Sequence, residues 1–263
     1  MQNSLWLLFL GAVQGLTEFL PVSSSGHLVF LQQVLKLREQ DLLFDTVLHL
    51  GSLLAILFYF RKELIDLFKR TAFFLAGKGD DRFPGEITLL IAVSLPLFIV
   101  GFFLLDFVEK SFQSPKILPF TFSFTAIILF WGNKAEEKKN KIEDISFKDA
   151  LVVGFFQALA VLPGVSRSGT TYSSARQRKI GRKTAFYFSF LMAIPAIFAS
   201  FILQFFKLGA KNLSMDFLGP FFVSFVSSLA ALALFSRIIN SKKIYIFAFY
   251  CIFMAGLSLF MFY

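Results

Sequence analysis

The 263-residue chain contains one cysteine, two histidines, and no lysine or arginine before Lys36. The lone cysteine, Cys251, lies in an apolar run, which excludes an intramolecular disulfide and a thiolate metal cluster. No basic residue precedes the first apolar stretch and no small-residue cleavage site follows it. Residues 1–27 are therefore expected to belong to the fold and not to a removable signal. Charged residues make up only 16% of the chain, too few for a solvated surface around a core of this size.

What is abundant is oil. Hydrophobic residues reach 56%, phenylalanine alone occurs 39 times, and the mean hydropathy is +0.70, which together indicate an all-α integral membrane protein. Six apolar runs approach the roughly 20 residues that a spanning helix needs: Leu42–Phe60, Ile87–Leu105, Ile117–Trp131, Thr184–Phe206, Phe217–Ile239 and Ile244–Tyr263. Two others, Leu5–Leu20 and Ala150–Leu162, are short and end in Pro/Gly/Ser-rich loops.

The formal charge of +9 is distributed as orientation charge and not as a nucleic-acid surface. If the two short segments dip into the membrane and return, 19 of the 26 Lys and Arg residues fall in or beside loops on one side. Six fall on the other side, and Arg167 remains between them. The expected topology is six transmembrane helices plus two re-entrant helical hairpins, with both termini outside and the basic loops inside.

Shifting the chain by 143 residues aligns GAVQGLTEFLPVSSSG (Gly11–Gly26) with GFFQALAVLPGVSRSG (Gly154–Gly169), with seven identities in sixteen positions. Each copy precedes three of the spans, and the charge distribution makes the two copies enter from opposite sides. The expectation is a single membrane domain over 1–263, built as an inverted-topology repeat of about 1–133 and about 148–263. Such repeats bring two polar tips together near the midplane. Ser23–His27 would then lie opposite Ser166–Thr171.

Ionisable groups at membrane depth are costly and usually functional. Here they are Glu18, His27, Asp45, His49 and Arg167. Gln14 and Glu18, spaced i, i+4, share a helix face. The pair suits a divalent cation held through oxygens, a Glu18 that orients or deprotonates a neighbour, or plain helix packing. The Ser23-Ser24-Ser25-Gly26-His27 break offers hydroxyls and backbone N–H groups, with a histidine suited to accept a serine proton; it reads equally as a satisfied cap. In PGVSRSGTT, Arg167 between Ser166 and Ser168 and near Thr171 suits phosphate oxygens, or serves as a structural counter-charge to Glu18. Asp45 and His49 share a face of the first span, where an ion pair between helices is as good an account as a functional one.

QGLTEFLPVSSSGH and PGVSRSGTT, followed by FSFLMAIPAI (Phe188–Ile197), resemble the signature motifs of the undecaprenyl-diphosphate phosphatase, or bacitracin resistance, family over essentially the whole chain. The resemblance implies a bacterial inner-membrane hydrolase that converts undecaprenyl diphosphate to undecaprenyl phosphate for cell-wall synthesis, opens to the outer face, and requires a divalent cation, magnesium or calcium. It also implies roles for Glu18, Ser24, His27, Ser166, Arg167 and Thr171. Gln14 is a permitted variant at a position that takes Glu or Gln, which leaves Glu18 as the only carboxylate of its motif. Gln14, Ser23, Ser25 and Ser168 join the substrate-binding candidates, and Glu18 with Gln14 the metal candidates. Ser24 assisted by His27 is the preferred nucleophile, with a water activated by Glu18 and the metal as the alternative and Ser23 and Ser25 adjacent. The lipid phosphatases related to phosphatidic acid phosphatase also use Ser-Gly-His and Ser-Arg motifs, but they need a later histidine, and none follows His49. A transporter or flippase of a phosphorylated polyprenyl lipid is the non-enzyme rival, and a membrane scaffold a third. A homo-oligomer is compatible with the sequence.

Overall fold

The computed structural model describes residues 2–35, 42–78, 85–103, 105–133, 135–208 and 214–263. Among them the regular structure is helical, with thirteen α-helices in chain order. The first half holds α1 (Gln2–Phe19), α2 (Ser24–Val34), α3 (Leu42–Tyr59), α4 (Arg61–Leu75), α5 (Gly85–Phe103), α6 (Leu105–Gln113) and α7 (Leu118–Asn133). The second holds α8 (Phe147–Leu159), α9 (Arg167–Gln177), α10 (Arg182–Leu191), α11 (Ala193–Leu208), α12 (Leu218–Asn240) and α13 (Tyr245–Phe262). Among the described residues the six long apolar runs are largely helical, with Thr184–Phe206 divided between α10 and α11, and both short ones form the first arm of a helical hairpin, α1–α2 and α8–α9.

Among the described residues four helical stretches are long and apolar enough to cross a membrane: Pro115–Asn133, Arg182–Leu203, Met215–Asn240 and Tyr245–Phe262. A fifth is added if α3 and α4, bent by 75° at their junction, are taken together. The chain is thus a multi-pass membrane protein.

The sequence repeat reappears in the packing. α1 lies along α12, and α8 lies along α5. The same glycine makes both approaches possible. A Cβ on Gly11 would sit 2.5 Å from the Pro220 carbonyl oxygen of α12, and one on the aligned Gly154 would sit 2.5 Å from the Val93 carbonyl oxygen of α5. In lipid there is little hydrophobic drive between helices, so close backbone approach supplies the dispersion energy that holds them. α7 and α13 pack against each other beside both tips. Below the tips lies an aromatic cluster in which the Phe190 ring meets Phe19 at 5.3 Å and Phe186 at 4.7 Å.

Away from the tips, residues 135–149 are tied to the turn after α9. The Lys138 and Lys139 N–H groups donate to the Lys179 carbonyl, and the buried Arg176 donates to the Ile180 and Ala135 carbonyls. Asp149, fully buried at the start of α8, accepts from Lys139, Arg178 and Ser146. Burial pushes its carboxyl up, but these donors more than reverse the effect and hold it well below the usual carboxylate range.

Candidate active site

The two tips are in contact. A Cβ on Gly26 would lie 2.7 Å from Gly164 Cα, the Ser168 hydroxyl donates to the Leu20 carbonyl at 3.1 Å, and Gly169 abuts Pro21. Gly164 has φ +91°, and a Cβ there would lie 2.0 Å from Thr121 Oγ1, so the second tip needs glycine for both backbone and space. Thr125 of α7 secures the same tip by accepting from the Ser166 N–H at 3.0 Å and donating to the Gly164 carbonyl at 2.9 Å.

The repeated serines have the same local task in each copy. Ser23 Oγ accepts from the Gly26 N–H at 3.3 Å and lies 3.4 Å from Ser25 Oγ. Ser166 Oγ accepts from the Gly169 N–H at 3.1 Å and lies 3.2 Å from Ser168 Oγ. These are N-caps for α2 and α9. They start a helix where the chain breaks, and leave the position between them free to differ. That position is Ser24 in one copy and Arg167 in the other.

Both of these residues bind Glu18. Arg167 Nη2 donates to Glu18 Oε1 at 2.5 Å, and the Ser24 hydroxyl donates to Oε2 at 2.5 Å. Gln14 Nε2 adds a bond to Oε2 at 3.0 Å. The carboxylate is 8% exposed, so its charge is sustained by Arg167 and these donors and not by bulk water. Two polar atoms of this group are buried without a hydrogen-bond partner in the protein, Gln14 Oε1 and Arg167 Nη1. One is an acceptor suited to a cation, the other a donor suited to an anion.

Other candidates lie around this centre in different roles. His27, expected to serve Ser24, has both ring nitrogens hydrogen-bonded to other groups. Its Nδ1 donates to the Ser23 carbonyl at 2.6 Å, which leaves Nε2 to accept from the Tyr250 hydroxyl at 2.6 Å. Ser23 has φ +69°, a costly conformation for serine, and the His27 ring helps fix it. Thr171 Oγ1 donates to the Arg167 carbonyl at 2.7 Å and is 2.5 Å from Ser189 Oγ, so it braces α9 against α10. Ser25 is half-buried at the tip.

The sequence-derived site list left out two neighbours. His49 Nε2 lies 3.5 Å from Glu18 Oε2, with its Nδ1 donating to the Asp45 carbonyl at 2.7 Å. Its signal was available, since it is one of only two histidines and lies at membrane depth. Asp45 accepts instead from Gln32 Nε2 at 3.0 Å. Tyr250, on α13, had no signal among so many aromatics.

The family model described as Bacitracin resistance protein BacA matches residues 7–257. The chain belongs to this family. It is 38% identical over 254 residues to the undecaprenyl-diphosphatase of Carboxydothermus hydrogenoformans, covering 94% of this chain and 93% of that one. It is 39% identical over 251 residues to the undecaprenyl-diphosphatase of Thermotoga maritima, covering 95% and 98%. To undecaprenyl-diphosphatase 3 of Bacillus cereus it is 40% identical over 203 residues, covering 77% and 74%. Both tips lie inside the matched family region.

Proposed function

We propose that this chain is a membrane hydrolase that converts undecaprenyl diphosphate to undecaprenyl phosphate and inorganic phosphate, recycling a lipid carrier of cell-wall synthesis and so conferring bacitracin resistance. Membership of the BacA family and relatives named undecaprenyl-diphosphatase support the substrate. The observation that carries the chemistry is the Ser24–Glu18–Arg167 contact, which sets a hydroxyl, a base and a fixed cation together at a buried tip.

In this reading the free Arg167 Nη1 and the N–H groups at the start of α9 hold the terminal phosphate and stabilise charge as it transfers. Glu18 Oε2 takes the Ser24 proton while Oγ bonds to the terminal phosphorus and the bridging P–O bond breaks, releasing undecaprenyl phosphate. Water then hydrolyses the phosphoserine, and the proton on Glu18 returns to Ser24. Glu18 replaces His27 as the base because it already accepts the Ser24 hydrogen bond, whereas both His27 nitrogens are engaged elsewhere. His27 holds the tip.

A divalent cation, magnesium or calcium, fits as a third participant. Gln14 Oε1 is a buried, unpartnered oxygen next to the Glu18 carboxylate. Among the described residues no group of three His, Cys, Asp or Glu side chains is suited to a metal, so diphosphate and water oxygens would complete its shell. Bound there, the cation would supply charge neutralisation for the diphosphate.

The topology we infer is six spans, α3, α5, α7, α10–α11, α12 and α13, with α1–α2 and α8–α9 as re-entrant hairpins of an inverted repeat. The reciprocal packing of α1 on α12 and α8 on α5 supports it, as does the one-sided distribution of Lys and Arg. We place the protein in the bacterial inner membrane with its site open to the outer face.

The test is phosphate release from undecaprenyl diphosphate by purified protein, with and without chelator, comparing wild type with Arg167→Ala. Cation-dependent release that is lost in a folded variant is expected. Lipid binding without release by intact wild type would replace the hydrolase with a flippase, the reading that an inverted repeat around a polar centre otherwise favours.

A further inference from the structure

We propose that α4 is an interfacial helix that lies in the headgroup region and binds anionic phospholipid. α4 leaves α3 at 75°, so if α3 crosses the bilayer, α4 runs close to the membrane plane. This rests on the span assignment above.

The surface of α4 is divided into three sectors. Leu67 is buried and Leu64, Thr71 and Phe74 are half-buried, which marks the face against the bundle. Beside it runs an apolar strip of Ile65, Phe68, Ala72 and Leu75 at helical spacing, and all four are exposed. Phe68 is 75% exposed and Leu75 73%, too open for side chains that face water.

Around the remaining surface the two carboxylates of α4 lie with Arg70 on one side, Lys62 and Lys69 lie on the other, and the exposed Phe73 falls between them. Glu63, Asp66 and Arg70 lie on the far flank, where Arg70 pairs with Asp66 at 3.1 Å and with the buried Glu86 of α5 at 2.6 Å. That flank sets Glu63, Asp66 and Glu86 against Arg70 and stays net negative, and the Arg70–Glu86 pair fastens α4 to α5. Lys62 and Lys69, two turns apart, border the apolar strip, are exposed, and make no ion pair among the described residues. At the start of the helix, Arg61 donates to the Phe58 carbonyl at 2.9 Å with its guanidinium 4.7 Å above the Phe58 ring. Cations beside an exposed apolar strip match acyl chains below and anionic headgroups above, with the lysine stems reaching upward.

The test uses full-length protein carrying Trp6→Phe and Trp131→Phe, with one tryptophan introduced as Phe68→Trp or, as a control on α3, Leu54→Trp. Each is reconstituted in phosphatidylcholine vesicles containing brominated phosphatidylcholine or brominated phosphatidylglycerol at equal mole fraction. Retained phosphate release reports an intact fold, because the side-chain hydrogen bonds and ion pairs described for α4 run to Phe58, Leu67, Asp66 and Glu86 and to no site residue. The tryptophan introduced at 68 should be quenched by brominated chains, more strongly by the phosphatidylglycerol form. Lys62→Gln with Lys69→Gln should remove that preference, roughly fivefold per lysine, as should high salt. Quenching at 54 but not at 68 would overturn the proposal while leaving the span intact. Quenching at neither would remove the span and the proposal with it. Equal quenching by the two lipids at 68 would overturn the anionic selectivity.

Discussion

Ser24 and Arg167 occupy the same position of the two sequence copies and bind the two oxygens of one carboxylate, that of Glu18, each at 2.5 Å. A duplicated hairpin has thus kept its capping serines and diverged where the tips meet. One copy presents a hydroxyl and the other a cation, which are the two functions that phosphoryl transfer asks of a site without a second carboxylate.

Arg167→Ala should abolish phosphate release, a loss of at least about a thousandfold, if Arg167 is the cation that holds the transferring phosphate as proposed. Glu18 would then be a buried carboxylate without its counter-charge, so a lower melting temperature should accompany the loss. Arg167→Lys should restore the melting temperature better than the rate, since an ammonium lacks the forked donor pair. The check is phosphate release alongside a thermal melt in detergent.

Ser24→Ala should lower turnover by about a thousandfold or more while the protein still binds lipid diphosphate, the pattern of a lost nucleophile. Ser23→Ala should instead act on stability, costing about 1 kcal/mol through the cap. Rapid acid quench with substrate labelled in its terminal phosphate should trap a phosphoserine in wild type and none in Ser24→Ala. A Ser24→Ala protein with full turnover would rule out the covalent route.

His27→Gln separates a base from a tip-holding group. With Glu18 as the base, the acidic limb of the pH–rate profile persists in this variant, and the rate falls by about tenfold as Ser23 loses its restraint. Tyr250→Phe, which removes only the bond to His27 Nε2, should cost about 1 kcal/mol of stability and less activity than His27→Gln. Disappearance of the acidic limb in His27→Gln would return the base to His27.

Gly164→Ala should destabilise the protein by roughly 3 kcal/mol, since it combines a positive φ with a Cβ directed into Thr121. Gly26→Val should destabilise as well and be inactive, because a side chain there meets the Gly164 backbone and forces the two tips apart. Circular dichroism with phosphate release checks both outcomes.

Asp149 should give the fold a measurable acid sensitivity outside the membrane. Against the upward push of burial, the bonds from Lys139, Ser146 and Arg178 hold its folded carboxyl below the usual carboxylate range, so its ionic contribution is complete above that range and is lost as pH falls through the lower folded value. Asp149→Asn should lower stability by roughly 3 kcal/mol at neutral pH and flatten the dependence of the melting temperature on pH at the acid end.

Much of the site was legible because its parts are local. The Gln14–Glu18 spacing, the breaks at Ser23–His27 and Ser166–Thr171, and the lone Arg167 all stand out against an apolar chain that has few reasons to hold them. The uses of the serines were not legible, since Ser-x-Ser-Gly fits a helix cap and a phosphate cradle equally well. Only the bonds from the Gly26 and Gly169 N–H groups assign Ser23 and Ser166 to capping. Proximity in sequence pairs His27 with Ser24, whereas the structure gives its two nitrogens to the Ser23 carbonyl and to Tyr250, a residue 223 positions away.

The sequence by itself determined the class of protein, the places where its helices run and break, and the duplication of its hairpin. These follow from composition, apolar run length and spacing, which are properties of a line. Tertiary structure decided which groups meet. It brought Arg167 to Glu18 across 149 positions and Tyr250 to His27 across 223, and it set His49 beside the carboxylate. Such pairings depend on how closely two backbones can approach, and here that is set by glycines at the helix crossings and the tips, whose effect appears only when both partners are in place.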